Sequence, residues 1–242
     1  MKRNLTTTQQ KLGQSPGEMI YTGVAQKASI KITQRLYNND GVSEEDKSQL
    51  QKLKSKKDQK NWIHVEGVHD INVLKKIGDQ FEIHNLFLED VANVDKRSST
   101  EFMEPYLFVT IKYLTFNSYQ VLKSHSVNII VDEDKLISFC ESGQSDWIKP
   151  VIKRLQGSKN PIRTRSTYYL LYALMDVLVD QFFVVLEEVE AQVEAMERII
   201  TQNPSKDHLD KLYQLKKELL KSAVIEDIRT IYLNQINEFI AH

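Results

Sequence analysis

Residues 168–186, Tyr168-Tyr169-Leu170-Leu171-Tyr172-Ala173-Leu174-Met175-Asp176-Val177-Leu178-Val179-Asp180-Gln181-Phe182-Phe183-Val184-Val185-Leu186, decide the fold. Apolar side chains recur from here in alternating steps of four and three. Positions 171, 175, 178, 182, 185, 189, 192, 196 and 199 hold Leu, Met, Leu, Phe, Val, Val, Gln, Met and Ile, a seam interrupted only by Gln192. That period belongs to a helix with one buried stripe, and it predicts a single helix over residues 164–202. Asn203-Pro204-Ser205 stops it, because a proline pushes the residue before it out of the helical region. A second stripe, Leu209, Leu212, Leu215 and Leu219, starts near Ser205, so the two arms form an antiparallel helical hairpin.

Upstream of residue 160 the period falls to two. Runs rich in β-branched and aromatic residues predict strands over 19–22, 29–36, 62–66, 106–114, 125–131 and 136–140. The loop Asp132-Glu133-Asp134-Lys135 and the turn Asn117-Ser118 close neighbouring strands on each other, which requires antiparallel pairing. Three short helices are expected between strands. Ser43-Glu44-Glu45-Asp46 carries the cap and acidic first turn of one that runs into Leu50 and Leu53. Asp70 caps a second over 71–81, and Asn85 caps a third over 86–92. The change of period divides the chain into an α/β part, 1–160, and a helical part, 161–242.

Composition narrows the function. With 33 acidic and 32 basic residues the net charge is −1, so there is no basic excess for non-specific nucleic-acid binding. The lysines at 52, 54, 56, 57 and 60 have no interleaved aromatics and read as a solvated helix end and loop. A hydrophobic fraction of 41% with only eight Gly and five Pro supplies a core and argues against disorder. Cys140 is the only cysteine, which excludes an intramolecular disulfide and fits a reducing compartment. The longest apolar run free of tyrosine, residues 182–186, falls far below the ~18 residues of a membrane helix. Met1-Lys2-Arg3 leads into a polar stretch and not a signal peptide, so the chain reads as soluble.

No glycine-rich phosphate loop, Gly-x-Ser-x-Gly elbow, His-Glu-x-x-His or Cys-x-x-Cys occurs, and the six histidines are scattered. The chain is therefore not expected to be an enzyme. Cys140 lies in an apolar strand and reads as an inert thiol. Oxygen ligands are better represented. Glu89-Asp90 sits near the C-terminus of its helix, where the dipole disfavours acids, so a partner cation is expected. Between Leu170 and Glu197 there are seven acids and no Lys or Arg, and Asp176 and Asp180 share a helix face. The returning arm carries Lys206, Lys211, Lys216, Lys217 and Lys221, so attraction between arms competes with a divalent-cation surface as the reason for the split. Carboxylates without clustered Cys or His suit a hard ion such as Mg²⁺.

Four stretches carry a family resemblance: Ser15-Pro16-Gly17-Glu18-Met19-Ile20-Tyr21-Thr22-Gly23, Trp62-Ile63-His64-Val65-Glu66-Gly67-Val68-His69, Ile83-His84-Asn85-Leu86-Phe87-Leu88-Glu89-Asp90-Val91-Ala92-Asn93-Val94 with the downstream Glu101-Phe102, and 168–180 with its acidic continuation. Over about residues 11–222 the chain resembles the cytosolic portion of CorA-type magnesium transporters. The resemblance implies an α+β fold, a mixed and partly antiparallel sheet between helix layers followed by a long antiparallel helical hairpin. It also implies a homopentamer, attached to the cell membrane through a stalk, two spans and a Gly-Met-Asn pore motif that do not follow His242. The implied function is regulatory: this portion, in the cytoplasm, senses Mg²⁺ and gates a pore for Mg²⁺, with Co²⁺ as a further cargo.

Residue by residue, the resemblance makes Asp90 the main regulatory ligand, with Glu89 and Asp176 at a nearby second site and an acid of a neighbouring stalk facing them. Asn234 and Asn237 stand where the stalk acids are expected, and the segment between Leu220 and Ile231 is shorter than the family's hairpin. The alternatives are the zinc- or cobalt-transporting branch of the same superfamily and a soluble α/β scaffold whose acidic hairpin docks a partner. A carboxylate-dependent hydrolase lacks a clustered histidine or nucleophile.

Overall fold

The structure is a computed structural model that describes residues 18–24, 28–48, 53, 58–117, 121–157, 160–202 and 206–221. Its centre is a seven-stranded sheet built from β1 (Lys31–Tyr37), β2 (Val42–Asp46), β3 (Lys60–Glu66), β4 (Ser99–Met103), β5 (Tyr106–Phe116), β6 (Leu122–Val131) and β7 (Lys135–Cys140). The order is β2-β1-β3-β7-β6-β5-β4. All neighbours are antiparallel except β3 and β7, whose parallel register sets Trp62 opposite Leu136 and Val65 opposite Phe139. That one parallel pair joins two antiparallel blocks and makes the sheet mixed.

Along β5 the side chains alternate between two separate cores. Leu107, Val109 and Ile111 point into one, together with Trp62, Val127, Ile129 and Leu136. Tyr106 and Phe108 point into the other, together with Ile63, Val65, Ile130 and Phe139. Both faces therefore need a helix layer. On the first face lie a 3₁₀ turn (Asp146–Ile148), α3 (Lys149–Gln156), the short α4 (Pro161–Thr164) and the beginning of α5 (Thr167–Gln202). On the second lie α1 (Ile71–Phe81) and α2 (Asn85–Ala92). Complete burial of each large side chain contributes roughly 1.5–3 kcal/mol. The fold class is the expected one, α+β with a mixed sheet between helices.

Helix α5 changes character along its length. Leu170, Leu171, Leu174, Met175 and Leu178 share the first core, and Phe182, Val185 and Val189 join Leu114, Leu122 and Leu215 in a third, smaller cluster. Leu215 belongs to the returning helix α6 (Lys206–Lys221). Beyond Val189 the seam opens, and Ile199 is 44% exposed. By length and composition alone α5 is apolar enough to cross a membrane, although no apolar run in it is long; half of its most apolar stretch is buried in the fold. Asp176 and Asp180 interrupt the apolar runs.

Three local expectations are corrected. Ser43-Glu44-Glu45-Asp46 is strand β2 and not a helix start, because Glu44 stands opposite Arg35 on β1 and pairs with it at 2.8 Å. A cross-strand pair of opposite charge outweighs a helix-cap signature. Residues 19–22 form no strand; Thr22 N–H donates to the Ala92 carbonyl instead. The cap of α2 is His84, whose Nδ1 accepts from Leu86 N–H, and Asn85 is the first helical residue. Asp70 caps α1 as expected, accepting from Asn72 and Val73 N–H.

Because Leu174 is fully buried and Ile199 is not, the same truncation should have different costs along one helix. Leu174→Ala is expected to lower stability by about 2–5 kcal/mol and Ile199→Ala by under about 1 kcal/mol. Urea unfolding midpoints measure both, and equal losses would contradict the placement of α5.

Candidate metal centre

Helix α2 presents Phe87, Leu88, Val91 and Ala92 to the second core. One turn of helix then leaves Glu89 and Asp90 at its rim, both partly exposed. The cation expected beside them is supplied by the chain. Lys96 Nζ forms a short ion pair with Asp90 Oδ2, lies 2.6 Å from Glu101 Oε1 on β4, and sits 5.2 Å from the centre of the Phe108 ring. Burial holds the Asp90 carboxyl above its usual range; Lys96 pulls it back down, and Glu101 and Glu89 push it further up. Its ionised form thus remains under-compensated despite the lysine.

The backbone that delivers Lys96 is fixed. Lys96 N–H donates to the Asn93 carbonyl at 3.1 Å, and Val94 N–H donates to Thr22 Oγ1 at 3.1 Å. The Val94 carbonyl accepts from Lys112 Nζ and Ser126 Oγ, each at 2.9 Å. Burial lowers the Lys112 ammonium to a pKa of about 8. Sequence reasoning did not find Lys96, because it stands six residues from Asp90 across a loop and no helical or strand period relates them.

The acids of α5 lie elsewhere. Asp176 Oδ2 pairs with Arg154 Nη1 of α3 at 3.1 Å, and Asp180, one turn on, is exposed. Both are on the helix that covers the first core, whereas Asp90 and Glu89 are on the helix that covers the second. The sheet stands between them. Among the described residues no group of three or more His, Cys, Asp or Glu is placed to hold a metal ion. Asn234 and Asn237 lie outside the described residues. One chain thus carries two separate carboxylate pairs, and a cation of the chain itself already meets each of them, Lys96 at Asp90 and Arg154 at Asp176. Oxygen donors of this kind suit a hard divalent ion.

The chain belongs to the CorA-like Mg²⁺ transporter family. The family model matches residues 57–238. A curated relative, the cobalt/magnesium transport protein CorA of Thermotoga maritima, is 31% identical over 214 residues, 87% of this chain and 60% of that protein. The chain thus spans about three fifths of this relative's length. Among solved structures, the soluble domain of CorA from Methanocaldococcus jannaschii superposes with a TM-score of 0.65 at 17% identity, over 83% of this chain and 78% of that one. The cytoplasmic domain of ZntB from Vibrio parahaemolyticus gives 0.54 at 14% identity, over 88% and 96%. At these identities the structural likeness establishes the fold.

A second constellation is closed to solvent. His64 Nδ1 lies 2.8 Å from Ser138 Oγ, which also accepts from Trp62 Nε1 at 3.0 Å, and His64 Nε2 is 3.7 Å from Cys140 Sγ. Burial pushes the Cys140 thiol far up, keeping it protonated and inert, as its apolar strand suggested. Burial first, and then the Arg35 charge, lower the His64 pKa to about 3. His64 is neutral in the fold, but the unfolded chain takes up this proton below about pH 6.5. Stability therefore falls as pH drops from about 6.5 toward about 3. Between pH 7 and pH 5 the loss should be about 2 kcal/mol larger in the parent chain than in His64→Gln, read from urea midpoints at the two pH values. Identical slopes would mean that His64 does not titrate in this way.

Proposed function

We propose that this chain is the cytoplasmic regulatory part of a CorA-like divalent cation transporter in the cell membrane, with Mg²⁺ as its cargo and its regulator. Asp90 and Glu89 of one copy and Asp176 and Asp180 of a neighbouring copy hold the regulatory ion, within a homopentamer. Residues 1–160 form the sensing body, and 161–242 the hairpin that carries its state toward the pore. The observation behind this reading is that the two carboxylate sets sit on opposite faces of one sheet. A single chain cannot bring them together, but two adjacent copies can.

The bound ion supplies positive charge that bridges carboxylates. The chain supplies the rest. Desolvated Asp90 and its acidic neighbours repel an acidic α5 surface on the next copy, so the ring loosens when they are uncompensated and packs symmetrically when they are not.

A complementation experiment tests the placement between copies. Millimolar Mg²⁺ is expected to raise the oligomeric state and protease resistance of the parent chain, and Asp90→Ala and Asp176→Ala should each weaken that response. An equimolar mixture of the two variants restores part of it, because the Asp176 face of one variant meets the Asp90 face of the other. A mixture no better than its components would place both acids in the same site of one chain, contrary to the proposal. A docking scaffold would not respond to Mg²⁺ at all. In the full-length transporter, Asp90→Ala should raise the Mg²⁺ concentration for closure by about tenfold, a coupling of about 1.4 kcal/mol. An unchanged concentration would remove Asp90 from the sensor.

A further inference from the structure

We propose that Lys96 is a built-in competitor for the divalent ion at Asp90: its ammonium holds Asp90 in the metal-free chain, and yields it, keeping Glu101, when a metal ion binds. The inference rests on the reading of Asp90 as a metal ligand and adds what sets the threshold of that site.

Three features of the local geometry carry it. The first is that Lys96 bridges two carboxylates from different elements, Asp90 on α2 and Glu101 on β4, so it has a second partner to retain when the first is taken. Glu101 Oε1 also accepts from Ser99 Oγ at 3.2 Å, which keeps that second partner in place without Asp90. The second is that the lysine backbone is pinned by the bonds of Asn93, Val94 and Thr22. The ammonium itself lies 5.2 Å from the centre of the Phe108 ring, and the side chain is the part that can move. The third is charge. Residues 89–101 contain four acids, Glu89, Asp90, Asp95 and Glu101, and two bases, Lys96 and Arg97. With the lysine in place an excess of negative charge persists, so a divalent ion can be attracted to a carboxylate that a monovalent ammonium already holds.

A displaceable ammonium differs from a structural ion pair in what its removal does. If Lys96 merely stabilised the loop, its loss would loosen Asp90 and weaken metal binding. As a competitor, its loss frees Asp90 and strengthens binding. The charge, and not the guanidinium or ammonium shape, is what competes, so arginine should substitute for lysine.

Mn²⁺ titration of the 242-residue chain, followed by the electron paramagnetic resonance signal of free Mn²⁺, distinguishes these cases. Lys96→Gln and Lys96→Met, the second retaining a long unbranched apolar side chain, are expected to lower the half-saturating concentration roughly three- to tenfold. Lys96→Arg should stay close to the parent. Asp90→Asn should lose the site in either background. Circular dichroism and thermal unfolding confirm that each variant is folded. If Asp90→Asn loses the site but both neutral variants at 96 bind as the parent does or more weakly, Lys96 is structural and the competition is overturned. If Asp90→Asn binds Mn²⁺ like the parent, or the parent binds none, Asp90 is not a ligand, and the reading beneath the inference fails with it.

Discussion

Two-sided burial of the central strands governs the rest of the molecule. In β5 the first six residues, Tyr106 to Ile111, are all buried, and β6 and β7 each end in an unbroken buried run. A strand so placed cannot face water on either side. The chain therefore has to find helices for both faces, and it does so from different regions: α1 and α2 from the loop after β3, α3 and α5 from everything after β7. The positions of the acids follow from this division. Asp90 travels with the helix that closes one core, Asp176 with the helix that closes the other, and the shared sheet keeps them apart however the loops adjust.

Much of this was legible where a residue's environment is set by its own periodicity. The seam from Leu171 to Val189 predicts the buried stripe of α5, and Asp70 announces the start of α1 because a cap acts on the two or three residues that follow it. Signals failed where a partner distant in sequence decided the outcome. Ser43-Glu44-Glu45-Asp46 has local helix chemistry, but β1 offers Arg35 opposite Glu44, and pairing at the sheet edge prevails. Strand β4 was missed because Ser99–Met103 is an edge strand paired on one side, mostly exposed, and so without an alternating pattern. Helix α3 was missed because it is only two turns long and buries just Val151 and Leu155.

The candidate site divides in the same way. Glu89 and Asp90 could be named from the anomaly of two acids at a helix C-terminus, a purely local observation. The group that answers the anomaly, Lys96, lies beyond the turn at Asn93, and only the three-dimensional course of that turn brings it to the carboxylate. Asp176 and Asp180 could be placed on one helix face from their spacing, yet not that Asp176 is held by Arg154, because α3 itself was not foreseen. Opposite placement on the two faces was likewise inaccessible, since it depends on which strands border which helices.

Helix α5 ties the sheet to the part of the chain that extends beyond it. Its beginning is welded into the first core by fully buried Leu170 and Leu174, and its middle rests on Leu114 and Leu122 at the far end of the β5–β6 hairpin. Past Val189 it meets, among the described residues, little but α6, and the ion pair Arg198–Glu194 there is local, exposed and of little energetic weight. Asp176 lies in the welded part, one turn before the exposed Asp180. Packing therefore opposes local deformation around Asp176, whose neighbours Met175 and Val177 are buried in the first core, whereas Asp180 one turn on is exposed.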